Sequence, residues 1–108
     1  MKLLSRTEEL LLNSILRLQE NAYAFMIREK LKEITGKTWA FGAIFISLDR
    51  LEKKRYVESF LGSETPERGG RRKRFYKVTS YGLKTLTEIR KIDQAMWKDL
   101  PVYILDQE

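Results

Sequence analysis

Residues 56–78 constrain the fold more than any other part of the chain. Two short segments rich in β-branched and aromatic side chains, 56–61 and 72–78, flank a stretch with Ser63, Pro66 and the glycines Gly62, Gly69 and Gly70. Such runs, bounded by turn-forming residues, read as a β-hairpin with a long mobile tip. Elsewhere the apolar residues recur at helical spacing, so this hairpin must be accommodated in an otherwise helical domain. It also carries the charge. The chain has 21 Lys+Arg, 15 Asp+Glu and a formal net charge of +6. Six of the basic residues, Arg68, Arg71, Arg72, Lys73, Arg74 and Lys77, fall within 68–77, where there is no acid, and outside that stretch the two signs balance. A cationic patch next to glycines and aromatics on a structured element suits a polyanionic partner, with a solubilising loop or a protein-binding surface as the alternatives.

Four helices are expected around the hairpin. Ser5 followed by Glu8 forms a capping-box pattern ahead of a helix over residues 6–18. At 100° per residue, Leu11, Leu12, Ile15, Leu16 and Leu18 spread over roughly 160°, more than a single small core requires. A second helix over 23–35 places Tyr23, Met26, Ile27, Leu31 and Ile34 on one face and stops at Gly36. In a third, over 41–54, Phe41, Ile44, Phe45, Leu48 and Leu51 form the inner stripe. Gly42, Ala43, Ile46, Ser47, Asp49, Arg50, Lys53 and Lys54 lie opposite. Thr79 caps a last helix over 80–98, whose apolar residues again spread widely, over roughly 200°. Residues 99–108 read as either a docked extension or a frayed end.

Composition removes most chemistry. The 108 residues include neither cysteine nor histidine, which excludes thiol nucleophiles, imidazole acid–base catalysis, Ser-His-Asp triads and His- or Cys-ligated metals within the chain. Nearly every acid has a basic neighbour within four residues, the pattern of solvated helix faces and not of a carboxylate active site. No enzyme activity, cofactor or metal is therefore expected. No apolar run approaches the roughly 18 residues that cross a bilayer, and Arg6, Glu8 and Glu9 interrupt the apolar start, so neither membrane partner nor leader is expected and the location expected is cytoplasmic.

The order helix, helix, helix, strand, strand, helix is the plan of a winged helix-turn-helix: mainly α with a small hairpin, the third helix reading DNA and the hairpin acting as the wing. Two stretches add a resemblance to a known family. Gly42-Ala43-Ile44-Phe45-Ile46-Ser47-Leu48-Asp49-Arg50-Leu51-Glu52 resembles the Gly-Thr/Ser-Leu-Tyr-Pro-Ala-Leu-x-Arg-Leu-Glu recognition helix of the PadR family of bacterial transcriptional regulators. Gly69-Gly70-Arg71-Arg72-Lys73-Arg74-Phe75-Tyr76-Lys77-Val78-Thr79 resembles that family's wing, which is the more specific half. The similarity covers about residues 8 to 92. Two departures stand out. Phe45 replaces a tyrosine whose hydroxyl would suit a phosphate, and Ile46 replaces a proline.

The resemblance implies a homodimeric repressor that reads an inverted repeat in double-stranded DNA, and some relatives bind a small aromatic effector between subunits. It divides the chain into a DNA-binding unit, 1–79, and a C-terminal dimerisation helix and tail, 80–108. Short members of the family dimerise through the last helix and the partner's first helix, which here assigns Leu10, Leu11, Leu86, Ile89, Ile92, Met96 and Trp97 to the subunit contact. On the recognition helix and just ahead of it, Thr38, Gly42, Ala43, Ile46, Ser47, Arg50 and Lys54 are the DNA-facing candidates. Arg50 is the one side chain there able to grip guanine in bidentate fashion, unless it pairs with Asp49. Ile46 could meet a thymine methyl or pack against the second helix. Arg68, Arg71, Arg72, Lys73 and Arg74 would hold phosphates from the wing. Trp39 is expected to pack in the core. An alternative of another class is a winged-helix module whose basic hairpin docks an acidic protein.

Overall fold

The computed structural model describes residues 3–62 and 72–101. Its elements run α1 (Arg6–Leu18), a one-turn 3-10 helix (Gln19–Asn21), α2 (Ala24–Thr35), α3 (Phe41–Lys53), β1 (Val57–Leu61), β2 (Arg74–Val78) and α4 (Ser80–Trp97). The expected mainly helical winged helix-turn-helix is the fold observed. The hairpin tip, 63–71, and the tail from 102 onward lie outside the described residues.

Local signals set most boundaries. Ser5 closes the capping box: its hydroxyl accepts from the Glu8 backbone N–H at 3.1 Å, and its own N–H donates to Glu8 Oε1 at 2.8 Å. Two of the otherwise unpaired donors of the first turn are thereby satisfied. Gly36 ends α2 in the left-handed region, φ 75°, where a side chain would be strained. Thr79 caps α4 by accepting from the Gly82 N–H at 3.0 Å while its hydroxyl donates to the Arg55 carbonyl at 2.7 Å.

The strands pair antiparallel, with Val57 opposite Val78 and Leu61 opposite Arg74. β2 begins two residues later than expected, and the chain between α1 and α2 adds a third edge that periodicity did not reveal. Tyr23 bridges Phe75, and the Tyr76 N–H donates to the Ala22 carbonyl at 2.9 Å. A bridge of one residue pair has no alternation to detect, and it makes Tyr23 the N-cap of α2 instead of its first residue.

One core joins these parts. Leu11, Leu12 and Ile15 of α1, Ile27 and Leu31 of α2 and Ile44, Leu48 and Leu51 of α3 are buried together with Val57, Tyr76 and Val78 of the hairpin and Ile89 of α4. Phe41 and Phe45, expected on the inner stripe of α3, are instead exposed. The buried trio Ile44, Leu48 and Leu51 fills a narrow face, and the two phenylalanines fall on its edge, outside the core. Ile34 of α2 is likewise exposed.

α4 enters the core through its first turns, where Gly82 passes close to the hairpin. A Cβ on Gly82 would collide with the Tyr56 carbonyl oxygen and approach Val78 Cγ1 to 2.8 Å. Nearby, Tyr56 and Tyr81 stack with centroids 5.1 Å apart. The backbone oxygen cannot turn aside as a side chain could, so Gly82→Ala forces the helix off the hairpin. The substitution is expected to cost ~1–3 kcal/mol and lower the melting temperature by roughly 5–20 °C. An unchanged thermal melt, followed by circular dichroism, would contradict this packing.

Candidate nucleic-acid interface

With its inner stripe in the core, α3 presents the opposite side to solvent. Gly42, Ala43, Ile46 and Arg50 are exposed, Ser47 is half-buried, and Thr38 is exposed in the turn ahead of the helix. Ile46 is 56% exposed, which removes packing against α2 as its role. A Cβ on Gly42 would meet nothing within 4 Å, so the helix surface there is open. Asp49 pairs with Lys53 at 3.0 Å and not with Arg50. The Arg50 side chain makes no ion pair or hydrogen bond among the described residues. It lines a concavity of about 330 Å³ with Ser47 and Lys54 of the α3 side and Ser5, Thr7 and Glu8 of α1.

Lys54 is engaged across that concavity, donating from Nζ to Glu8 Oε2 at 2.8 Å. Partial burial pushes the Glu8 carboxyl up. The hydrogen bond and charge of Lys54, with the bonds from Ser5, outweigh that burial, and the carboxyl sits below its ordinary value of 4.5. Lys54 thus anchors the end of α3 to α1.

The start of α3 is held by a residue that periodicity alone gave no reason to single out. Arg28 of α2 donates from Nε to the Trp39 carbonyl at 2.8 Å, and its guanidinium lies 4.4 Å from the centre of the Phe41 ring. This contact fixes the turn over residues 37–40 against α2. Phe41 in turn stacks on Phe45, centroids 6.4 Å apart. Trp39 is half-buried and packs against the core.

The hairpin is tied to α3 as well. Arg74 Nη1 donates to Ser59 Oγ at 3.0 Å, and that hydroxyl donates to Glu52 Oε2 at 2.7 Å. Lys73 Nζ sits 4.3 Å above the Tyr23 ring, which meets Phe75 edge-on at 5.6 Å, and Phe75 stacks on Phe60 at 5.8 Å. Burial raises the Tyr76 phenol above its ordinary value, as expected of a hydroxyl that supports the sheet from inside. Arg72, Lys73 and Arg74 are exposed on the strand approach to the tip. Arg68 and Arg71 lie outside the described residues.

Helix positions 41, 45 and 52 fall within roughly 40° of one another. Since Glu52 is bonded to the hairpin, the Phe41–Phe45 edge is the wing side of α3 and the Arg50–Lys54 edge is the α1 side. Among the described residues no group of acidic side chains could hold a metal, and no helix is long and apolar enough to cross a membrane.

The sequence model for the Transcriptional regulator PadR-like family matches residues 11–88. The chain belongs to this PadR-like family. Members bind DNA as transcription regulators, and in this PadR-like chain the outer side of α3 and residues 72–74 of the hairpin are exposed. The solved structures agree in fold. A PadR-like regulator from Bacillus cereus superposes with a TM-score of 0.71 at 24% identity, over 94% of this chain and 92% of that one. A PadR family regulator from Clostridium difficile gives 0.66 at 24%, over 91% and 97%. A PadR-like factor from Bacteroides fragilis gives 0.64 at 26%, over 94% and 89%. Among curated proteins none matches.

The residues assigned to a subunit contact separate into two groups in this PadR-like chain. Leu11, with no exposed surface, and Ile89 belong to the chain's own core and are not free to meet a second subunit. Leu10 and Leu86 are partly buried against that core, Ile92 is half-buried, and Met96 and Trp97 are exposed. Along α4, Ile89 is therefore buried, Leu86 and Ile92 are partly so, and Tyr81, Leu83, Met96 and Trp97 are exposed.

The Glu8–Lys54 bond has a pH consequence. A carboxyl lowered by folding stabilises the fold fully above its unfolded value near 4.5, and that contribution disappears as pH falls through the lower folded value. Glu8→Gln should lose about 1 kcal/mol at neutral pH and converge with the parent chain in acid, well below pH 4.5. Urea unfolding across that range checks it; curves that remain parallel would contradict the assignment.

Proposed function

We propose that the chain is a homodimeric repressor that binds an inverted repeat in double-stranded DNA, residues 1–79 holding the duplex and 80–108 joining the subunits. The observation that carries this reading is the link Glu52–Ser59–Arg74, which makes the outward face of α3 and the basic hairpin one continuous surface. On it, Arg50 and Ser47 face base edges, while Arg72, Lys73 and Arg74 hold phosphates, a role proposed also for Arg68 and Arg71, which lie outside the described residues. Thr38, Gly42 and Ala43 let the start of α3 approach the groove, Ile46 lies on the groove side, and Lys54 meets a phosphate only by sharing with Glu8.

The exposed Met96 and Trp97, 60% exposed in the latter case, are the apolar surface at the end of α4 that a second subunit would cover, with Leu10, Leu86 and Ile92 beside them. Two recognition helices would then sit about one helical turn of DNA apart, ~34 Å. A small aromatic effector would find its place at that contact, beside Trp97. The work is done on the chromosome, in the cytoplasm.

Sedimentation velocity, on the protein alone and mixed with labelled duplexes carrying promoter sequence, tests the reading. A dimer at micromolar concentration and one dimer per duplex are expected. If each subunit meets ~3 to 4 phosphates, tripling the salt should weaken binding about a thousandfold. Replacing Arg71, Arg72, Lys73 and Arg74 together by Ala should abolish it. A stable monomer would overturn the dimer. Absence of binding at low salt, or binding indifferent to the four replacements, would overturn the DNA reading and favour an acidic protein as the hairpin's partner.

A further inference from the structure

The outward face of α3 is more apolar than a water-facing helix needs to be. Phe45 is 50% and Ile46 56% exposed, and neither is covered by the chain's own elements. Their placement is not loose: Arg28 supports Phe41, and Phe41 supports Phe45. Gly42, one turn before Ile46, leaves open space beside it. Basic side chains flank the strip, Arg50 and the Asp49-paired Lys53 on α3 and Lys73 and Arg74 on the hairpin. Apolar side chains inside a cationic frame fit a ligand with a polyanionic outside and an apolar group within. The edge of duplex DNA in the major groove has one such group, the C5 methyl of thymine.

We propose that Phe45 and Ile46 are specificity-determining residues that read thymine methyl groups, so that this regulator selects its site largely by apolar contact. The inference rests on the DNA reading above. Polar readout on α3 is sparse: residues 41–54 include no Asn or Gln to grip adenine, and the outward Asp49 and Lys53 pair with each other at 3.0 Å, which leaves Ser47 and Arg50 to offer hydrogen bonds to bases. Arg50 follows Ile46 by one helical turn, about 6 Å along the axis and under two 3.4 Å base steps. The preferred half-site should therefore contain a thymine within about two base pairs of a guanine.

The test uses the full chain. Duplexes are selected from a randomised library, and the thymines in one half-site of the winning sequence are then replaced singly by deoxyuridine. This deletes the methyl and leaves every hydrogen-bonding atom of the pair in place. Affinity should fall about three- to fivefold at each contacted thymine, as expected for one buried methyl. Phe45→Ala and Ile46→Ala, both on exposed positions, should keep the parent melting temperature and bind thymine and uracil duplexes alike. A winning site without thymine, full affinity for every uracil duplex, or a uracil penalty that survives both replacements would overturn the inference while sequence-specific DNA binding stands. No enriched sequence at all would remove the DNA reading itself, and this inference with it.

Discussion

Everything at the interface depends on how α3 is rotated, and that rotation is held by the burial of Ile44, Leu48 and Leu51 against α1 and α2. Each is fully buried, and each such side chain stabilises the fold by roughly 1.5–3 kcal/mol. Turning the helix by one residue would bring two of the three toward water and send exposed residues inward. The outward set of Gly42, Ile46, Asp49 and Lys53 is thus determined by what lies beneath it. Polar contacts then clamp the helix at both ends: Arg28 on the Trp39 carbonyl at its start, and Glu8 on Lys54 at its finish.

The hairpin's position follows from a second junction. Thr79 ties Arg55 and Tyr56 to the start of α4, and the missing side chain of Gly82 lets α4 close on the same carbonyl. One glycine and one threonine therefore connect the wing to the helix that carries the exposed Met96 and Trp97. Because Ser59 links Arg74 to Glu52, the wing is also tied directly to α3.

Much of this was legible in the sequence wherever the cause is local. A capping box, a left-handed glycine and a threonine cap act within four residues, and Ser5, Gly36 and Thr79 all do what their types and spacing suggest. Helical periodicity also located the four α-helices. It could not tell an inner face from an edge, because Phe41 and Phe45 have the spacing of core residues and only the width of the facing helices excludes them. The family resemblance assigned Leu11 and Ile89 to a subunit contact, whereas burial puts both in the chain's own core. Arg28 was invisible, since its partners, a carbonyl and a ring, lie eleven or more residues away and leave no pattern. Likewise, nothing near Lys54 in sequence announces Glu8.

Charge shows the same division. The run of cations was plain from counting, but the partners of individual charges were not: Asp49 takes Lys53 and leaves Arg50 facing the groove between α1 and α3. In the function we propose, one surface, the outer side of α3 with the hairpin, holds duplex DNA. Amide chemical shifts of the full chain, followed by NMR while a selected duplex is added, test that most directly. The largest changes should fall on residues 42–54 and 72–77, with the Phe25 and Ile34 surface of α2 unmoved. Changes concentrated on α2 or on the end of α4, with α3 and the hairpin silent, would contradict it.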